Sequence, residues 1–295
     1  MKHKIKMDNF KQQQTKAKTW FCNLQNTIIT AFEKIELDYL KEKNHPITPQ
    51  FSIPPKFQKT PWNRADGGGG IMTKLNGNVF EKVGVNFSEV HGQFTQEFAK
   101  KIPGSEESNN QFWASGISLV AHMRSPLIPA IHMNTRFICT SKSWFGGGID
   151  LNPPIPNKEE TKQFHQILKN TCDAHNPKYY PEFKKYCDEY FFIKHRNVSR
   201  GVGGIFFDYL NSNNFNNDFN FTQDVGKTFL KSFEPIVREK MLKSWNDKQR
   251  QIQLKYRSLY AEFNLLYDRG TKFGLETNGN VDAILMSMPP LASWN

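Results

Sequence analysis

Long apolar runs are missing from this 295-residue chain. No stretch approaches the roughly twenty residues of a membrane helix, and the Lys- and Gln-rich start lacks the apolar centre of a secretory signal. Cysteine is scarce too. Cys22, Cys139, Cys172 and Cys187 stand far apart, without the C-x-x-C spacing of a zinc ribbon or redox pair and without the density of a secreted disulfide framework. They read as reduced, mostly packed thiols, so a cytoplasmic protein with no membrane insertion is expected. Neither G-x-x-x-x-G-K-[ST] nor G-x-G-x-x-G occurs, so the glycine runs are not the common nucleotide cradles. H-E-x-x-H and G-x-S-x-G are also absent, which removes the common zinc-protease and hydrolase-elbow readings.

What is present is apolar bulk. Hydrophobic residues make up 38% of the chain and include 25 Phe, enough to offset the entropy of ordering a core, so the chain is globular rather than disordered. A net charge of +11 suggests an anionic partner, whether nucleic acid, acidic lipid or a polyanionic small molecule, or else a general excess of Lys. The arginines near candidate sites lie among glycines and strand histidines, not along one basic helix face or an aromatic stacking platform. That placement argues against nucleic acid.

Apolar spacing predicts a long amphipathic helix over 15–40, with residues 1–14 as a candidate disordered tail. Residues 45–61 read as a proline-rich loop, and 71–85 as one or two strands around Asn76-Gly77-Asn78. Strand signals return at 117–122 and 130–140, expected to pair antiparallel. Helices are expected at 159–174 and 181–197, then over 224–256 with Pro235 kinking or dividing the last. The segments 259–267, 271–276 and 281–288 read as three more strands. No repeat or low-complexity linker divides the chain. The expected fold is α+β, a single domain spanning 1–295 with a large antiparallel sheet flanked by helices on both sides.

Alternation over Ile131-His132-Met133-Asn134-Thr135-Arg136-Phe137 sends an imidazole, an amide and a guanidinium to one face. Those groups can move a proton, give a neutral hydrogen bond and grip a carboxylate. Ser118 and His122 share a face of the preceding strand. Trp144-Phe145-Gly146-Gly147-Gly148-Ile149-Asp150 sets a carboxylate just after a glycine run where backbone can approach a ligand closely, with Asp150 as candidate base, or else forms a glycine-rich turn whose Asp bonds its own backbone. Lys194-His195-Arg196 and Arg200 form a basic cluster at an expected helix end, either satisfying the helix dipole or clamping an anion. His122, His132, His165 and His195 could bind a divalent metal, although their spacing carries no ligand signature.

The strings Ile117-Ser118-Leu119-Val120-Ala121-His122, Ile131 onward to Phe137, and Trp144-Phe145-Gly146-Gly147-Gly148-Ile149-Asp150-Leu151 closely resemble the oxygen-dependent coproporphyrinogen III oxidases. So do Lys194-His195-Arg196, Gly201-Val202-Gly203-Gly204-Ile205-Phe206-Phe207-Asp208, Ala261-Glu262-Phe263-Asn264, Asp268-Arg269-Gly270-Thr271 and Ile284-Leu285-Met286-Ser287-Met288-Pro289-Pro290. The matches span nearly the whole chain in the family's order.

The resemblance implies a homodimer that converts two propionates of coproporphyrinogen III to vinyl groups, consuming O2, releasing CO2 and forming protoporphyrinogen IX for haem synthesis. It implies substrate contact by Ser118, Asn134, Arg136 and the loop of Gly279, proton donation by His132, dimer contact within 262–288, and disputed metal ligation by His122, His132, His165 and His195. No organic cofactor is implied. A non-catalytic carrier of the same anionic tetrapyrrole would use the same cations but need no base. Where many relatives carry an Arg-ending loop this chain has Asn278-Gly279-Asn280, so one propionate cation must come from elsewhere. Arg136, Arg196 and Arg200 are the expected clamp. Asp150 is expected to hydrogen-bond and help deprotonate the pyrrole N–H groups, so that the ring takes O2 and a ring-bound peroxide removes a proton beside the departing CO2.

Overall fold

The computed structural model describes residues 10–43, 55–276 and 279–294. Helix α1 (Lys11–Glu42) presents Ala17, Phe21, Leu24, Ile28, Phe32 and Ile35 as one buried stripe. It therefore includes 11–14, expected to lie in a tail; residues 1–9 lie outside the described residues. Next come β1 (Gln58–Asn63), β2 (Gly68–Leu75), β3 (Phe80–Gln93), β4 (Gln111–Met123), β5 (Ala130–Cys139) and β6 (Ser143–Asn152). Strand β1 lies partly inside the expected 45–61 loop, of which 45–54 fall outside the described residues. Its Pro61 is tolerated because β1 is an edge strand.

Helices α2 (Lys158–Asp173) and α3 (Tyr179–Tyr190) follow, then β7 (Gly204–Leu210), α4 (Phe215–Lys240), α5 (Asp247–Leu266), α6 (Arg269–Glu276) and α7 (Val281–Ile284). The strands form one seven-stranded antiparallel meander in chain order, β1 to β7. Asn157, Asn214 and Asn246 start α2, α4 and α5 by accepting a hydrogen bond from the backbone N–H three residues on.

One sheet face carries Ile131, Met133 and Phe137, which join α1 and α4 in the main core through Phe32, Phe229 and Phe233. Buried Glu36 pins α1 to the β2–β3 turn by accepting from the backbone N–H of Asn78, Val79 and Phe80. The other face is covered by α5 to α7, so helices flank the sheet on both sides as expected.

Several local expectations fail. Pro235 lies inside α4 without dividing it, with its neighbours Phe233, Ile236 and Val237 buried, and the expected 224–256 helical region is broken instead at 241–246, between α4 and α5. The second helix stops at Tyr190 and gives way to a two-residue strand pair, Phe192–Ile193 with Val198–Ser199, around a 3-10 turn at Lys194–Arg196. The three expected C-terminal strands are helical. In 257–264 the buried positions Arg257, Tyr260, Ala261 and Asn264 recur at helical steps, but apolar neighbours on both sides hide that period in the sequence.

Candidate active site

Strand register sets the covered face out in rungs. Gly84, Val120, His132, Asp150 and Gly204 lie side by side across β3, β4, β5, β6 and β7. The next rung is Asn86, Ser118, Asn134, Gly148 and Phe206, and a third holds Ser88, Gly116, Arg136 and Gly146. Above these rungs is a cavity of about 790 Å³, large enough for an organic molecule of several rings. Ser118, His132, Asn134 and Arg136 line it, with Trp144, Tyr190, Phe191, Phe206 and Tyr260 as aromatic walls. Gly279 and Asn280 line it from the cover segment.

His132 Nδ1 is 2.7 Å from Asp150 Oδ1, and Asn134 Nδ2 lies 3.3 Å from His132 Nε2. A carboxylate only accepts, so Nδ1 carries the hydrogen and Nε2 accepts from the Asn134 amide at the cavity wall. Asp150 itself is 2% exposed and lies behind the imidazole. Its Oδ2 accepts from Arg200 at 2.7 Å and from Asn152 at 2.9 Å. Burial works to raise the Asp150 carboxyl, but the Arg200 guanidinium and the His132 hydrogen bond outweigh it and hold it well below the usual carboxylate range. The expected pyrrole contact by Asp150 is therefore corrected. Both oxygens are engaged, and a carboxylate so stabilised is a poor base.

Arg200 also differs from expectation. It reaches the cavity wall yet is 1% exposed, its charge is matched by Asp150, and its guanidinium lies 3.9 Å from the Phe191 ring centroid and 4.6 Å from that of Tyr260. It supports the site from beneath and is not a free clamp. Arg196 lies outside the cavity, where it pairs bidentately with Glu262 beside His195. The helix end expected to present it is a 3-10 turn facing α5.

The four histidines do not converge. His122 bonds the Ser287 carbonyl, His165 bonds the Val202 carbonyl and the Tyr180 hydroxyl, and His195 bonds Tyr267 and Glu262. Among the described residues no three His, Cys, Asp or Glu side chains are grouped to hold a metal. The imidazoles therefore do not fit a shared metal ion, since each is bonded to a different partner and none is grouped with another.

Arg136 donates from Nη2 to Asp208 at 2.7 Å, while its buried Nε has no partner; nor has the buried Oδ1 of Asn134. The glycine run is mid-strand instead of a turn. A Cβ on Gly146 would lie 2.9 Å from both Arg136 Nε and Asp208 Oδ1, so this glycine makes room for the guanidinium–carboxylate pair.

Sequence reading left the junction of α5 and α6 between two expected strands and gave Asp268 and Arg269 no role of their own. Asp268 and Arg269 both line the cavity there. Asp268 accepts from Tyr190 Oη at 2.9 Å and from the Thr271 backbone N–H at 2.6 Å, while Arg269 sits over the Tyr190 ring and donates to Tyr186. An Asp followed three residues later by a capped backbone N–H was the available signal for a helix start. Lys101 and Lys272 line the cavity as well.

A carboxylate-backed imidazole, guanidinium groups and aromatic walls around one enclosed volume define an acid–base enzyme for an anionic, ring-bearing substrate. A family model described as coproporphyrinogen III oxidase matches residues 16–295. A protein of Rickettsia bellii named oxygen-dependent coproporphyrinogen-III oxidase is 56% identical over 276 residues, covering 94% of this chain and 96% of its own. Proteins of Rickettsia rickettsii and Rickettsia akari with the same name are also 56% identical, over 277 and 276 residues, with the same coverage. The chain belongs to the coproporphyrinogen III oxidase family.

Proposed function

We propose that the protein converts two propionates of coproporphyrinogen III to vinyl groups with O2 as oxidant, giving protoporphyrinogen IX for haem synthesis. The observation that carries this reading is that Arg136, His132, Asn134 and Ser118 line one cavity. Each conversion breaks the bond to the carboxyl carbon and one C–H bond at the carbon beside the ring. It releases CO2 and passes two electrons and a proton to O2. No organic cofactor is needed in this scheme.

Within the site, the propionates pair with Arg136, Arg269, Lys101 and Lys272, and the Ser118 hydroxyl adds a neutral donor. The pyrrole N–H groups meet Asp268 and Asn134 Oδ1. Asp268 is bonded by the Tyr190 hydroxyl and the Thr271 backbone N–H and has spare lone pairs, whereas Asp208 is matched by Arg136. His132 takes and returns protons at Nε2 while Asp150 fixes its tautomer. Positioned acid–base help of this kind is worth about 10²- to 10⁴-fold in rate.

A homodimer with contacts in 262–288 is part of the reading, supported by Leu265, Leu266, Leu275 and Val281 exposed within that stretch. Free cysteines support a cytoplasmic setting, and no helix among the described residues is long and apolar enough to cross a membrane. Aerobic incubation with coproporphyrinogen III, oxidation of the product and detection of protoporphyrin tests the activity. Turnover that vanishes without O2 is expected. Tight binding with no turnover in air would make the protein a carrier instead.

A further inference from the structure

The segment 281–288 closes the cavity, yet it has little apolar anchorage of its own. Val281 is exposed, and Met286 is the one buried residue in the segment. Its Ala283, Ile284, Met286 and Ser287 all line the cavity. What secures it is a set of donors on the sheet. Asn86 Nδ2 donates to the Ala283 carbonyl at 3.0 Å, His122 Nε2 to that of Ser287 at 2.9 Å, and Lys82 Nζ to that of Met288 at 2.8 Å.

These donors belong to the same face as His132. Lys82 pairs with His122 across β3 and β4, and Asn86 pairs with Ser118. Between Lys82 and Asn86, Gly84 leaves a notch that Met286 fills; a Cβ there would fall 1.7 Å from its sulfur. His122 is fully buried, edge-on to the Tyr260 ring at 5.1 Å between centroids. Carbonyls only accept, so its Nε2 carries the hydrogen. Neither His122 nor Lys82 lines the cavity, so neither is placed to touch substrate.

We propose that Lys82, Asn86 and His122 form a latch of positioning residues that holds 283–288 over the cavity, with Gly84 as the socket for Met286. The latch grips backbone carbonyls, so it fixes the path of the cover whatever side chains the cover carries. Its consequence for catalysis rests on the cavity being the substrate site. A held cover keeps water away from the neighbouring His132 rung and sets the width of the cavity.

Hydrogen exchange read by mass spectrometry, without substrate, tests the latch directly. In His122→Phe and Lys82→Met the amides of 283–288 should exchange about tenfold faster while those of β5 and β6 keep their rates. His122→Gln, which keeps an N–H donor, should recover most of the protection, and Gly84→Ala should repeat the regional loss. In turnover with coproporphyrinogen III the same variants should raise KM several-fold, with kcat changing by less than about threefold. Unchanged exchange at 283–288, or acceleration spread equally through β5 and β6, overturns the latch. The expected exchange pattern in a protein with no activity upholds the latch and overturns the substrate reading instead.

Discussion

His132 and Asp150 are direct partners on adjacent strands, with Nδ1 and Oδ1 2.7 Å apart. The carboxylate is in turn held by Arg200, whose guanidinium is enclosed by Phe191, Tyr260 and Phe263. A buried cation, a buried anion and an imidazole thus form one line that ends at the cavity.

Asp150→Asn should lower kcat by about 10²- to 10⁴-fold, since the imidazole loses its fixed tautomer and its counter-charge. It should also destabilise the fold by about 3–5 kcal/mol, because Arg200 is left buried and unmatched. Asp150→Leu combined with Arg200→Met should recover stability in chemical denaturation without recovering turnover. Full turnover in Asp150→Asn would refute the relay.

Arg136→Ala should weaken substrate binding by about 2–5 kcal/mol, the cost of leaving a desolvated propionate without its partner. Arg136→Lys should recover only part of that, because an ammonium cannot offer the planar fork. Isothermal titration under anaerobic conditions, where no turnover competes, measures both.

Asp268→Asn separates charge from helix capping. Asn caps as well as Asp, so α6 should stay in place and the melting temperature should change little. The rate should nonetheless fall by about 10²- to 10⁴-fold if the carboxylate works on the pyrrole N–H groups. A normal kcat in this variant would return Asp268 to a purely structural role.

Acid should unfold the protein through its paired carboxylates. The hydrogen bond from Arg196, with those from His195 and Trp294, holds Glu262 down at about 2, against a resisting desolvation. Asp150 is likewise depressed. A depressed folded value means the unfolded chain binds the proton more readily, so this stabilisation is present above the ordinary carboxylate range and is lost as pH falls through it. For Glu262 the loss runs from about pH 4.5 to about 2. Melting temperatures across that window should fall, and Glu262→Gln should flatten part of the slope.

Removing divalent metal should leave turnover intact. His122, His132, His165 and His195 each bond different partners and do not converge. Activity of chelator-treated protein with metal content verified by elemental analysis decides the matter, and loss restored by one added metal would contradict it. His165→Gln should retain most activity.

Much of this site was legible in one strand. The alternation that sends His132, Asn134 and Arg136 to a common face is a property of extended backbone, and the structure places all three in the cavity with Ser118. The roles of the acids were less legible. Asp150 looked like a base because it follows glycines, but strand pairing puts it behind His132, and Arg200 neutralises it. Asp268 looked like a turn residue, since nothing local tells that the end of α5 meets the wall formed by Tyr190.

Period and composition by themselves determined that this chain folds around an antiparallel sheet with helices on it, and which face of β5 is polar. They failed at 259–288, where short apolar runs fit either period and packing alone chooses the helix. Which cations are free, which carboxylate meets the substrate and where the cover sits were decided by tertiary structure. Those properties depend on pairing and burial between residues distant in the chain, and a charge becomes a clamp, a base or a strut only according to the partner that reaches it first.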